Sequence, residues 1–100
     1  MSMFGHSGEL KIPGDASSNR SAQEVLRVWS SGDHQVVAIR HDMWDDPAAW
    51  GLLLVDIARH VSRAFGERGQ DKDRVYQRIL EGFRMEVGNP TDEPTGEIEK

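Results

Sequence analysis

The chain has no cysteine. That excludes disulfides, thiol nucleophiles and every zinc site built on Cys ligands. It has no apolar run near the roughly 20 residues a bilayer span requires; the longest, such as Leu52 to Val55, are four residues. No basic segment followed by an apolar stretch opens the chain, so no secretory signal is read. A basic surplus is missing too. Twelve basic and 17 acidic residues give a net charge of −5, whereas duplex binding draws its affinity from phosphate neutralisation. Nucleic acid is therefore a disfavoured partner, a membrane is excluded, and a cytoplasmic protein is expected.

One hundred residues suffice for one domain. A core of that size buries a modest share of its surface, and such domains often depend on a partner chain, a metal or disulfides. Charge is uneven along the chain. Residues 1–58 carry four basic and eight acidic groups, residues 59–84 seven and four, and residues 85–100 one and five. A mildly basic middle lies between acidic flanks.

Residues 1–22 are rich in Gly, Ser, Asn and Asp and read as a flexible arm. Within it "ELKI" is a candidate for a sheet edge, ended by Pro13. "EVLRVWSSGDHQVVAIRH" reads as a β-hairpin, with Ser-Ser-Gly-Asp as the turn. Leu26 and Val28 share one face of the first strand; Val25, Arg27 and Trp29 share the other. Val37 and Ile39 oppose Val36, Ala38 and Arg40 on the second. Both faces are partly apolar, and a lone hairpin is marginal in water.

A helix follows. Asp46 is placed to cap it, Pro47 suits its first turn, and Asp45 and Asp46 favour its positive end. Trp50, Leu54, Ile57, Val61, Ala64 and Phe65 fall on one apolar stripe, and Gly66 and Gly69 mark its end. A second helix starts near Gln70 or Asp71, with Val75, Tyr76, Ile79, Leu80, Phe83 and Val87 as its stripe. Gly88 suits a left-handed C-cap and Pro90 blocks continuation. Residues 90–100 read as an acidic flexible tail. The expected fold is α+β, β-β-α-α: an antiparallel hairpin packed on a helical hairpin in two layers over residues 23–89.

"EVLRVW", "DPAAWGLLL", "ARHV" and "NPTD", in this order and spacing, resemble a family of small bacterial proteins known only as a domain of unknown function. The likeness covers roughly residues 9 to 95. It implies a compact cytoplasmic bacterial domain and transfers no catalytic residue, ligand or cofactor.

Four candidate sites arise. The first is a metal or acid–base site around His41, Asp42, Trp44 and His60, with His34, Asp45, Asp46 and Asp56 nearby in sequence. Imidazole and carboxylate suit a divalent ion, and Asp56 and His60 share a helix face. His60 falls at the edge of the apolar stripe and Asp56 on its wet side, which favours a solvated pair. The "HDMWDDP" run is explained by turn and cap chemistry. The second is nucleophilic or phosphate chemistry, for which no motif is present. Gly51 inside a helix costs about 1 kcal/mol relative to Ala; with Val55, Ala58 and Ser62 it makes a low ridge another backbone can approach. The third is an anion-binding ridge of Arg59, Arg63, Arg74 and Arg78, weighed against an ordinary charged helix face.

The fourth is an association surface. Ala48, Leu52 and Val55 lie roughly 140–200° around the wheel from Trp50 at 100° per residue. They call for a second cover: the arm, the sheet or a second subunit. Trp29 on the hairpin's other face points the same way. With no cofactor implied and no complete catalytic constellation, the leading expectation is a non-catalytic dimerising or partner-binding module. A ligand- or metal-binding enzyme is its rival.

Overall fold

A computed structural model describes residues 6–89 and the backbone of residues 97–99. The elements run α1 (Gly14–Ser17), β1 (Leu26–Ser31), β2 (His34–Ile39), α2 (Ala48–Glu67), α3 (Lys72–Gly88) and β3 (Glu97–Glu99). The α+β hairpin-then-helices order agrees with the sequence pattern.

β1 and β2 are antiparallel, with Leu26 opposite Ile39, Val28 opposite Val37, Trp29 opposite Val36 and Ser31 opposite His34. Two residues, Gly32 and Asp33, close the turn. Gly32 has φ 65° and no non-glycine residue among those described has positive φ, as a type II′ hairpin turn requires. The register fixes the faces. Leu26, Val28, Val37 and Ile39 form one aliphatic face; Arg27, Trp29, Val36 and Ala38 lie on the other.

Residues 97–99, expected within the tail, form a third strand. β3 lies parallel to β2 with Ile98 level with Val37, giving the order β1-β2-β3. The Glu-Ile-Glu alternation is strand-like, but three residues are too few to stand out in an acidic sequence. The rest of the tail, and residues 1–5 of the arm, lie outside the described residues.

Both long helices begin on an aspartate. The Asp46 carboxylate accepts from the Ala48 N–H at 3.0 Å, although Pro47 is the residue flanking the regular helix. Asp71 accepts from the N–H groups of Asp73 and Arg74 at 3.0 and 3.3 Å. These bonds occupy donors that have no partner inside a helix. Gly69, at φ 96°, makes the turn between the helices. Gly88 is not left-handed: it is the last residue of α3, and Asn89 donates its N–H to the Met85 carbonyl at 2.9 Å.

α2 and α3 pack on each other. Ser62 is the one buried residue among those described, and its hydroxyl donates to the Ala58 carbonyl at 2.8 Å. Val55, Ala58, Phe65 and Gly66 of α2, and Val75, Tyr76, Ile79 and Leu80 of α3, are half-buried. α3 therefore docks on the low ridge of α2. A Cβ on Gly66 would sit 3.1 Å from the Lys72 Cβ, so this glycine serves the close approach at the hairpin end.

This docking shifts the face expected of α2. Of the stripe assigned to the core, Trp50 and Phe65 are half-buried, but Leu54 is 45%, Ile57 36% and Val61 40% exposed. Val55, which seemed to need a second cover, is covered by α3. The physical reason is size. The residues Ala58, Ser62 and Gly66, spaced four apart, let two helices approach closely, whereas a helical wheel records polarity and not relief.

The layers are also less closed than the pattern suggests. No Cα of α2 or α3 comes within 8 Å of a strand Cα. No apolar residue among those described is buried.

Candidate interaction surface

Three apolar surfaces are open. The first is the α2 stripe of Leu54, Ile57 and Val61. The second lies at the open end of the helical hairpin. Extending the Gly66–Lys72 juxtaposition along two antiparallel helices brings Val55 level with Phe83, and Gly51 level with Val87. Yet Phe83 is 54%, Val87 69% and Leu52 74% exposed. A Cβ on Gly51 would meet nothing within 4 Å. Contact between the helices is thus concentrated toward their turn, and Ala48, Leu52, Val55, Phe83 and Val87 flank a wedge. The third surface is the aliphatic sheet face, where Val28 is more than half exposed.

The arm takes a different path from a sheet edge. Glu9 to Ile12 join no strand pairing, and Pro13 leads into the one-turn α1 instead of ending a strand. The arm lies across Trp29 and Arg27. The His6 ring meets Trp29 edge-on at 5.1 Å between centroids. Glu9 lies 3.7 Å from Arg27, which also pairs with Glu24 at 2.7 Å. The Arg40 Nε donates to the Glu24 carbonyl at 3.0 Å. Arm and strand enclose an open cleft of about 630 Å³ whose walls include Leu10, Ile12, Leu26 and Val28. Trp29, expected at an interface, therefore receives a partner from its own chain.

The polar candidates stay dispersed. Asp56 and His60 form a pair at 3.2 Å with both side chains about two-thirds exposed. His41 and Asp42 are exposed, and Trp44 is half-buried, edge-on to Trp50 at 5.2 Å. No hydrogen bond, ion pair or ring contact joins His41 or Asp42 to His60 among the described residues. None of these residues lines either described cleft. Among the described residues no group of three His, Asp or Glu is placed to hold a metal ion.

The arginines have different neighbours. Arg59 lies over the Tyr76 ring at 5.9 Å, near the outer limit for a cation–π contact. Arg78 pairs with Glu81 at 3.1 Å. Arg74 and Arg78 border a cleft of about 660 Å³ with Phe65, Asp71 and Val75, and Arg63 is exposed on α2. Among the described residues no helix is long and apolar enough to cross a membrane.

A family model described as "Domain of unknown function (DUF5076)" matches residues 9–91. A solved structure from the photosynthetic bacterium Rhodopseudomonas palustrus CGA009, carrying the description "putative pyruvate dehydrogenase", is 35% identical. It aligns over 98% of this chain and 100% of its own, with a TM-score of 0.74. No curated protein matches the chain.

Proposed function

The chain belongs to the DUF5076 family, and within it we propose that this protein is a homodimerising module, working through association and not through chemistry of its own. One observation carries the reading: among the described residues no apolar side chain is buried. Hydrophobic burial is the main favourable term in folding. A chain whose apolar side chains are at most half-buried gains only part of that term until something covers them.

The surface area gives the scale. The chain exposes 8823 Å², whereas a folded monomer of 11.2 kDa exposes roughly 5,700 Å². The excess is roughly 3,100 Å². Part of it belongs to the arm, residues 6–22, and part to residues outside the described ones. Even half of it matches one chain's share of an obligate homodimer interface, about 1,000–2,500 Å². Two-fold dimers are the commonest oligomers, and a two-fold lets one patch cover itself.

The proposed interface comprises Leu54, Ile57 and Val61 together with the exposed wedge residues Ala48, Leu52, Phe83 and Val87. We place the module in a bacterial cytoplasm. Its Rhodopseudomonas neighbour is bacterial, and a chain without cysteine fits a reducing compartment. The enzymatic description of that neighbour is not extended to this chain, because His41, Asp42 and His60 are not joined into one site.

Light scattering on a size-exclusion column tests the reading. Twice 11.2 kDa, about 22 kDa, is expected at micromolar concentration, with a melting temperature that rises with concentration. A monomer that melts cooperatively, with no concentration dependence at high micromolar, overturns it. Association only with a different protein would replace the second copy by that partner.

A further inference from the structure

The sheet and the helical hairpin each leave an apolar surface open, and the two surfaces are complementary in kind. The sheet presents Leu26, Val28, Val37 and Ile39 on one face, as the β1–β2 register dictates. The helices present Leu54, Ile57 and Val61. Packed layers lie about 10 Å apart, and helix Cα atoms stand about 2.3 Å from the helix axis. A helix seated on a sheet therefore brings Cα atoms to about 8 Å, and here none comes that close. The layers are joined through residues 40–47. In the single chain these residues form turns, with Met43 donating its N–H to the Arg40 carbonyl at 3.1 Å; opened out in an exchange, eight residues reach up to about 26 Å.

We infer that the two layers close between chains: the helical hairpin of one copy, through Leu54, Ile57 and Val61, covers the Leu26–Val28–Val37–Ile39 face of a second copy, and the reverse. This rests on the homodimer proposed above and specifies its geometry. Two observations favour exchange over packing of helix stripe on helix stripe. Stripe-on-stripe packing leaves the open part of each aliphatic sheet face, Val28 above all, in water, whereas exchange covers both kinds of surface with one two-fold axis. It also draws more fully on the excess area, since each chain contributes a sheet face and a helix face. Reciprocal exchange of this kind is a low-cost route to a dimer, because the element that moves is the same in both chains.

The experiment uses the full chain in two isotopic forms. ¹³C-labelled and unlabelled protein are mixed, unfolded and refolded together. An isotope-filtered NOE spectrum then records methyl contacts between chains only, and light scattering reports the mass of the same sample. Exchange predicts intermolecular NOEs from the methyls of Leu26, Val28, Val37 and Ile39 to those of Leu54, Ile57 and Val61. A dimer whose intermolecular NOEs connect only Leu54, Ile57 and Val61 with their own counterparts overturns the exchange and leaves the homodimer standing. Sheet-to-helix NOEs found only within a chain overturn it likewise. A monomeric sample removes the homodimer reading itself. The cysteine-free background allows a second, independent reading. Single variants Val28→Cys and Val61→Cys, mixed and oxidised, should crosslink to each other. Predominant Val61→Cys self-crosslinking instead overturns the exchange.

Discussion

Placing a charge on the open α2 stripe is the sharpest test of whether the fold depends on a second copy. Leu54, Ile57 and Val61 keep about two-fifths of their surface in water. Complete burial of such a side chain is worth about 1.5–3 kcal/mol, so covering the remainder contributes about 1 kcal/mol each. Six such residues in a symmetric dimer supply about 6 kcal/mol, before Phe83 and Val87 are considered. Ile57→Asp removes about 1 kcal/mol at each of two sites. It also sets a carboxylate against apolar neighbours, at a cost of at least about 1 kcal/mol per site. The total of about 4 kcal/mol corresponds to roughly a thousandfold weaker dissociation constant. Sedimentation equilibrium across a dilution series measures it, and circular dichroism follows helix content in the same samples. The expected result is loss of the dimer, whether the freed chain stays helical or unfolds. Gln77→Asp, on an exposed position of α3, serves as control and should associate as the unaltered chain does. If Ile57→Asp remains as dimeric as the unaltered protein, the stripe is not the interface.

Leu52→Asp, at the wedge, should weaken association in the same assay, and an unchanged dissociation constant would remove the wedge from the interface. Asp71→Ala abolishes two capping hydrogen bonds; a loss of about 1 kcal/mol per chain should appear as a lower urea midpoint with an unchanged slope. The glycines of α2 should respond in opposite directions. Gly51→Ala adds a methyl in open space and gains up to about 1 kcal/mol of helix propensity, while Gly66→Ala presses on Lys72 and destabilises. Equal effects at both would contradict the helix packing described. Gly32→Ala places a side chain at φ 65° and should cost about 1–2 kcal/mol, read as a lower melting temperature; no change would mean the turn is not of this type.

The short-range features of the fold were legible in the sequence because their causes are local. A two-residue turn needs glycine at positive φ, and Ser-Ser-Gly-Asp offers it. The Asp46 and Asp71 carboxylates accept N–H groups two or three residues on, so helix starts can be read from spacing alone. Alternation along β1 and β2 fixed which side chains share a face. The Asp56–His60 pair was legible for the same reason, since the two stand four residues apart on one helix face.

What the tertiary structure decided is which apolar face of α2 meets its own chain. Trp50, Leu54, Ile57 and Val61 make the more hydrophobic stripe, and polarity alone assigns it to the core. α3 instead lies on Val55, Ala58 and Ser62, where small side chains permit close approach, and Leu54, Ile57 and Val61 stay open. β3 was equally beyond the sequence: pairing Ile98 with Val37 is a contact across some 60 residues, and three alternating residues carry too little local preference to announce it. Local chemistry sets turns, caps and faces. Relief and long-range pairing choose among faces that are all apolar, and here that choice leaves Leu54, Ile57 and Val61 open.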